Sequence, residues 1–275
     1  MMEKQFSHLI LVISSAWGCS LIIPESILEL SFFHQKSSFW APQGRGPSGS
    51  GPQLETGLRR CGVREIDQGV ALAKEIVSLP GLRFRGVMSH QTIPDMPDRE
   101  DRAVEANRTI KGVIDLKDAI EGEGIAIDIV STGETWSYDV AAEIPGVTEI
   151  QGGSYLMMET HYGYMTEFHY AAKILSTVIS TPGPGTAIGD AGVRAVSSLS
   201  GMPTVFDRHG VSVESMDSDH AVFRVESGAS LKVGDQVLLI PAQQDAMVSR
   251  WDRFIGLRKG KVEVVWDIQA RGCHN

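Results

Sequence analysis

Ile125-Ala126-Ile127-Asp128-Ile129-Val130 runs directly into Ser131-Thr132-Gly133-Glu134-Thr135, and the fold class rests on this stretch. A short run rich in β-branched residues is too brief for a buried helix and suits a strand covered on both faces, as in a parallel sheet. A glycine turn at the C-terminal end of such a strand is where parallel α/β folds gather ligands. On the N-terminal side, Gly122 and Gly124 stop a helix whose apolar stripe is Ala103, Ala106, Ile110, Val113 and Ile114. Asp95 as N-cap, with Pro97 and Asp98 after it, marks where that helix begins. Further back, Pro80-Gly81 turns a helix over 67–78, with Val70, Ala73 and Val77 on one side, into a strand over 82–88. An earlier strand ends at Glu55-Thr56-Gly57. On the C-terminal side, a helix over 138–143 leads through Pro145-Gly146 to a strand over 147–150 and then to Gln151-Gly152-Gly153-Ser154-Tyr155. This alternation predicts a parallel barrel or an open α/β sheet.

After residue 168 the pattern changes to strand-like pieces separated by glycine turns, over 172–180, 187–189, 221–225, 236–240, 254–257 and 262–266. These predict a mainly β second domain, with Arg258-Lys259-Gly260-Lys261 as a hairpin turn. Residues 1–50 offer no strand-and-helix succession. A short helix is expected after Pro24, and residues 42–52, rich in glycine, serine and proline, read as a linker. The expected division is therefore 1–52, an atypical N-terminal segment and linker; 53–167, the α/β part; and 168–275, the β part.

A formal net charge of -9, a pI near 5.4 and no block of lysines and arginines argue against a nucleic-acid-binding surface. Cys19, Cys61 and Cys273 form no close pair, which suits a reducing compartment and ordinary thiols. The apolar run at 9–12 is too short to span a bilayer, where about 20 residues are needed. As a secretory signal it has only Lys4, balanced by Glu3, as its positive flank. A cytoplasmic enzyme acting on a small molecule, without membrane attachment, is the expectation.

Two neighbouring turns carry the chemistry of an anion cradle, Ser131 to Thr135 and Gly152 to Tyr155. Glycine lets the backbone approach closely, and hydroxyls donate to phosphate oxygens. Taken singly, each could be a plain turn. Arg60, after another strand end, could meet a ligand oxygen or ring nitrogen, or form a surface ion pair. Gln243 and Asp245 follow the strand over 236–240, and their i, i+2 spacing in extended chain would aim both oxygen-bearing side chains at one hard cation. His90 and His220 are open to either a packing or a catalytic role.

In combination these segments are more telling. Glu55-Thr56-Gly57-Leu58-Arg59-Arg60, Leu79-Pro80-Gly81-Leu82-Arg83-Phe84-Arg85-Gly86-Val87, Ser131-Thr132-Gly133, Pro145 through Tyr155, and Trp266-Asp267-Ile268-Gln269-Ala270-Arg271-Gly272 stand in the order and spacing of one family. Over residues 53 to 273 the chain resembles the D-threonine aldolase and eukaryotic-type D-serine dehydratase family, nearest the D-threonine and 3-hydroxy-D-aspartate aldolase branch. The resemblance implies an α/β fold made of an alanine racemase-like TIM barrel, here incomplete, followed by a mainly β domain, usually as a homodimer. It implies pyridoxal 5'-phosphate as cofactor, a divalent cation, and metal-assisted lyase chemistry on small β-hydroxy-D-amino acids. Dehydration, racemisation or cofactor binding without catalysis are the alternatives. By the same resemblance Arg60 faces the cofactor, Thr132 and Gly133 hold one side of its phosphate, and Gly153, Ser154 and Tyr155 hold the other. His90 stands near a strand end where the family often has a tyrosine, which makes it the candidate catalytic residue.

Two departures from the family pattern stand out. Where the family has a histidine two positions before its second metal ligand, this chain has Gln243 before Asp245; a glutamine oxygen favours magnesium, manganese or calcium over zinc. The family's cofactor lysine lies on the first barrel strand, in a setting matched by neither Lys4 nor Lys36. That segment is expected to be missing, as in a truncated or wrongly assembled product or a degenerate relative.

Overall fold

The computed structural model describes residues 9–12, 20–21, 48–91, 96–269 and 271. They fall into two compact units, one drawn from Met1–Leu30 and Ser154–Asn275, the other from Ser31–Gly153. Strands and helices are numbered along the chain.

In the unit within Ser31–Gly153, β4 (Gln53–Glu55), β6 (Gly86–His90), β7 (Ile129–Thr132) and β8 (Glu149–Ile150) form a wholly parallel sheet in that order. Beside them, β3 (Ser48–Ser50) pairs in parallel with β5 (Leu82–Phe84). The single strand expected over 82–88 is thus two. The chain breaks at Arg85, whose carbonyl accepts the N–H groups of Asp128 and Ile129 at 2.9 and 3.0 Å. Gly86, at φ +158°, then passes so close to β7 that a Cβ on it would lie 1.8 Å from the Ile129 carbonyl oxygen. The break frees the second half to pair with β4 and β7 and carries the strand on to His90. Of the linker expected over 42–52, residues 42–47 lie outside the described residues, while 48–50 is a strand and Gly51 and Pro52 are buried. Of the run 125–130, only Ile129 and Val130 lie in β7.

Helix α1 (Ile66–Ser78) opens with a reciprocal capping box between Glu65 and Gln68 and buries Gly69, Ala73 and Ile76. The buried stripe is one step off the expected one, leaving Val77 56 % exposed. Helix α2 (Arg99–Gly122) starts at Asp98, whose carboxylate accepts the N–H groups of Glu100 and Asp101; the proposed cap Asp95 lies outside the described residues. Ile110, Val113, Leu116 and Ile120 of α2 are fully buried, each worth roughly 1.5–3 kcal/mol. A Cβ on Gly69 would stand 2.5 Å from Leu116 Cδ1, so the glycine is what lets α1 approach α2. Helix α3 (Tyr138–Glu143) follows β7.

The other unit is antiparallel except at one pairing. Its sheet runs β12 (Val211–Met216), β13 (Ala221–Val225), β10 (Thr186–Gly189), β9 (Ala172–Gly183), β1 (Leu9–Val12), β15 (Arg253–Arg258), β16 (Lys261–Asp267), with β2 (Ser20–Leu21) and β14 (Gln236–Ile240) also on β9 and β11 (Thr204–Val205) on β14. The sequence reading assigns no strand to residues 1–50, yet β1 pairs in parallel with β9 and antiparallel with β15. Its hydrogen bonds go to strands far along the chain, which no local pattern announces. The helix expected after Pro24 lies outside the described residues. The β15–β16 hairpin turns at Lys259 and Gly260, both at positive φ, as a tight hairpin requires. Ile174, Val178, Phe223, Val237, Leu239 and Met247 form the core. The later stretch of this unit runs from Ser154, and the boundary expected at 168 falls within it. Residues 154–171 are tied to it by Thr160 N–H to the Pro241 carbonyl and Ala172 N–H to the Met157 carbonyl. Among the described residues no helix is long and apolar enough to cross a membrane.

Candidate cofactor and active site

The C-terminal edge of the parallel sheet gathers the polar residues of its unit. At the end of β4, Glu55 Oε1 accepts the N–H groups of Gly57 and Arg59 at 2.8 and 2.7 Å, and these bonds hold its carboxyl below the usual range. They fold the Thr56-Gly57 turn and help to hold Arg59 at φ +55°, immediately before the exposed Arg60. At the end of β6, His90 is half-buried. Desolvation, and then the Arg60 guanidinium, lower its pKa from 6.5. At the end of β7, Thr132 is fully buried and its hydroxyl lies 2.7 Å from Ser89 Oγ, so its side chain belongs to the interior and Gly133 begins the turn.

Gly133 has φ +82°, and a Cβ there would stand 2.7 Å from Ala141 Cβ. The Gly133 carbonyl accepts Gln151 N–H at 3.1 Å, and Gly152 lies against the Thr135 backbone N. The two glycine turns picked out as anion cradles are therefore brought together as far as Gly152. Gln151 Nε2 donates to the Ser131 carbonyl and hydroxyl, and Ser131 Oγ to Glu149 Oε1 at 2.5 Å, which locks β8 to β7 below the turns. Gly153 is exposed, and a Cβ on it would meet nothing within 4 Å.

Glu134 is the residue that sequence reasoning passed over. It was read only as part of the Ser131–Thr135 turn. Its carboxyl is 10 % exposed, stands 3.3 Å from His90 Nε2, and is pushed by burial up to about 8. Its backbone N–H is held by Ser137 Oγ, which also donates to Gln91 Oε1, and Gln91 Nε2 donates to Thr109 of α2. The available signal was an acidic residue two positions past a strand end with a histidine at the end of a neighbouring strand, but that neighbourhood is a matter of sheet order.

Ser154, Tyr155, Gln243 and Asp245 belong to the other unit. Ser154 and Tyr155 open a short 3-10 helix, and the Tyr155 ring packs on Phe168 with centroids 5.7 Å apart. The extended geometry expected for Gln243 and Asp245 is corrected. Gln243 is the N-cap of the short helix Gln244–Val248, and Asp245 sits exposed in its first turn. The reason is Glu159, also missed: buried, it accepts Gln244 N–H at 2.8 Å, satisfying a helix N-terminal donor, while Ser154 hydrogen-bonds the same side chain. Gln243 Oε1 accepts Ser200 Oγ at 2.7 Å. Among the described residues no group of three or more His, Cys, Asp or Glu is disposed to hold a metal ion. His220 pairs loosely with Asp217 at 3.5 Å on an exposed turn.

Comparison with known proteins matches this arrangement. Residues 53–160 match the family model "Alanine racemase, N-terminal domain", and residues 171–257 match "Putative serine dehydratase domain". A 3-hydroxy-D-aspartate aldolase of Paracoccus denitrificans (strain Pd 1222) is 35 % identical over 231 residues, covering 80 % of this chain and 59 % of the relative. A D-threonine aldolase of Arthrobacter sp is 31 % identical over 227 residues, covering 80 % of this chain and 60 % of the relative. The crystal structure of D-threonine aldolase from Filomicrobium marinum superposes with a TM-score of 0.77 at 30 % identity, over 82 % of this chain and 64 % of that one. The chain thus spans about three fifths of the length of the curated relatives it matches. With both domain models matched in order and the aldolases similar across their junction, the chain belongs to the alanine-racemase-like family of fold-type-III pyridoxal-phosphate enzymes, on the D-threonine and 3-hydroxy-D-aspartate aldolase branch.

Proposed function

We propose that the chain binds pyridoxal 5'-phosphate at the C-terminal edge of its parallel sheet and serves the cleavage of small β-hydroxy-D-amino acids with help from a divalent cation. The observation that supports this most directly is the joining of two glycine turns, Gly133 to Thr135 and Gln151-Gly152, by the bond from Gln151 N–H to the Gly133 carbonyl, with Gly133 at positive φ where Ala141 leaves no room for a Cβ. That backbone fits a phosphate group. The bound cofactor would supply an electron-accepting ring to an amino acid. Arg60, next to the Glu55 turn, would meet an acceptor atom of the ligand, and His90 would move a proton at the substrate. Among the described lysines of this unit, Lys74, Lys111 and Lys117 sit on α1 and α2 in ion pairs with helix acids, and none stands at the strand ends. The glycine turns that would hold the phosphate are among the described residues, and a lysine for covalent attachment is not among the residues described there.

Titrating the purified chain with pyridoxal 5'-phosphate, followed by absorbance, is expected to show saturable binding that inorganic phosphate displaces. Gly152→Val should weaken it at least about tenfold, the equivalent of roughly 1.4 kcal/mol, by placing a branched side chain against the Thr135 backbone N. Borohydride treatment followed by peptide mapping should reveal no unique pyridoxyl-lysine. Equal affinity in Gly152→Val would remove the cradle from the proposal, and one stoichiometric adduct would show that a lysine of this chain serves the cofactor.

The cation is assigned to Asp245 as the charged ligand and Gln243 as a neutral oxygen, which suits magnesium or manganese better than zinc. Calorimetric titration with manganese should show a site that Asp245→Ala abolishes and Gln243→His tightens, since imidazole is the stronger ligand. Where aldol cleavage is measurable, chelation and Asp245→Ala should each lower it sharply. Unchanged manganese binding in Asp245→Ala would leave these residues as a polar helix start and favour a metal-independent racemase.

A further inference from the structure

His90 and Glu134 face one another in a way that fixes how many protons they carry. His90 Nδ1 lies 3.1 Å from the Gln91 carbonyl oxygen. A carbonyl oxygen only accepts, so Nδ1 bears a hydrogen and a neutral ring has its lone pair at Nε2. That nitrogen is 3.3 Å from Glu134 Oε1, an oxygen buried without any other hydrogen-bond partner. A lone pair facing an ionised carboxylate would repel it. The contact is favourable with one proton between the two groups, on Oε1 with both neutral or on Nε2 with both charged.

We infer that His90 and Glu134 form a couple holding one proton, in which Glu134 is a positioning residue that sets the tautomer of His90 and stores the proton His90 exchanges with a bound substrate. The role toward substrate rests on the proposed function, whereas the couple itself rests only on the fold. Three observations besides the contact support it. Gln91 N–H and Ser137 N–H bond the Glu134 side chain, and Ser137 Oγ holds its backbone, so the carboxyl is fixed before any ligand arrives. The charged group whose field reaches both partners is Arg60, from the loop after β4; the 3-10 turn Thr135–Ser137 contributes only Thr135, Trp136 and Ser137, and α2 contributes Thr109 through Gln91. His90 is 32 % exposed while Glu134 is buried, so the imidazole is the member of the couple open to a ligand. A proton passed to a substrate oxygen from Nε2 is replaced from Oε1, and the reverse step restores it; no oxidant or reductant is involved.

The test is the imidazole nitrogen NMR of His90 in the full chain labelled at histidine, followed across pH without cofactor. At neutral pH the wild type should show the neutral tautomer protonated at Nδ1. An alkaline step near pH 8 should be visible at His90 as the couple loses its proton. Glu134→Gln should abolish that step and leave one lower-pH titration, while Glu134→Asp, which keeps a carboxyl, should retain a shifted step. A neutral ring protonated at Nε2 in the wild type, or a Glu134→Gln titration identical to wild type, would overturn the couple. Because the readout needs no cofactor, failure of pyridoxal-phosphate binding would count against the proposed function and leave the couple standing.

Discussion

Gly86→Val is expected to undo the parallel sheet. The first carbon added would sit 1.8 Å from the Ile129 carbonyl oxygen and 2.7 Å from its carbonyl carbon, against 3.4 Å or more in ordinary contact. These are backbone atoms of a paired strand, so relief comes only by parting β6 from β7 or by breaking the bonds from Asp128 and Ile129 to the Arg85 carbonyl. The backbone at φ +158° is also unfavourable for a β-branched residue. Losses of this kind exceed about 3 kcal/mol, a large part of the stability of a domain this small. Hydrogen exchange should show peptides covering 86–90 and 129–132 losing protection together, with an early loss of the parallel unit in urea. Gly81→Ala is the control. That residue is also at positive φ, but its Cβ would meet nothing within 4 Å, so only about 1 kcal/mol of backbone strain is expected. A Gly86→Val protein as stable as the Gly81→Ala one would mean that β6 and β7 are not joined through this close approach.

The stability of the same unit should fall as pH rises through the neutral range. Burial raises the Glu134 carboxyl from 4.5 to about 8, so the folded state keeps a proton that the unfolded state has already released. The sign follows from linkage. A raised pKa contributes stability that is fully present below 4.5 and is lost as pH climbs through about 8, where the folded protein must ionise a buried carboxyl or open. His90 acts in the opposite sense, since its lowered pKa costs stability as pH falls below its ordinary 6.5; the fall with rising pH is therefore cleanest above neutrality. The full shift corresponds to at most about 5 kcal/mol, and relaxation around the ionised group reduces this to an expected 2–3 kcal/mol. Glu134→Gln keeps the shape and removes the titration, so its urea midpoint should be flat between pH 7 and about 9 while the wild type declines. A wild-type midpoint equally flat over that range would show that Glu134 ionises in the folded protein without penalty.

Much of this molecule is written in local pattern. The alternation of short β-branched runs with amphipathic helices announces a parallel α/β unit, the glycine spacing after residue 168 announces the antiparallel one, and Lys259-Gly260 announces its last hairpin. These are legible because helix and strand periods, caps and turn conformations depend on residues within a few positions of each other. The turns at Ser131–Thr135 and Gly152–Tyr155 stood out for the same reason, since glycines and hydroxyls after a strand are a local feature. Long-range placement was not legible. Glu134 and His90 meet because β6 and β7 are neighbours in the sheet with all of α2 between them in sequence, and no periodicity encodes that register. The split of 82–88 at Arg85 depends on how near β7 comes, and β1 has its partners far along the chain, in β9 and β15. Gln243 and Asp245 looked like extended chain because no side chain beside them in sequence satisfies a helix start; the Gln244 N–H is taken by the buried Glu159, brought there by packing. Short-range conformational preference thus set the kinds of element and the candidate turns. Which side chains share a site followed from burial and strand order, where a polar group removed from water must find its partner wherever the fold supplies one.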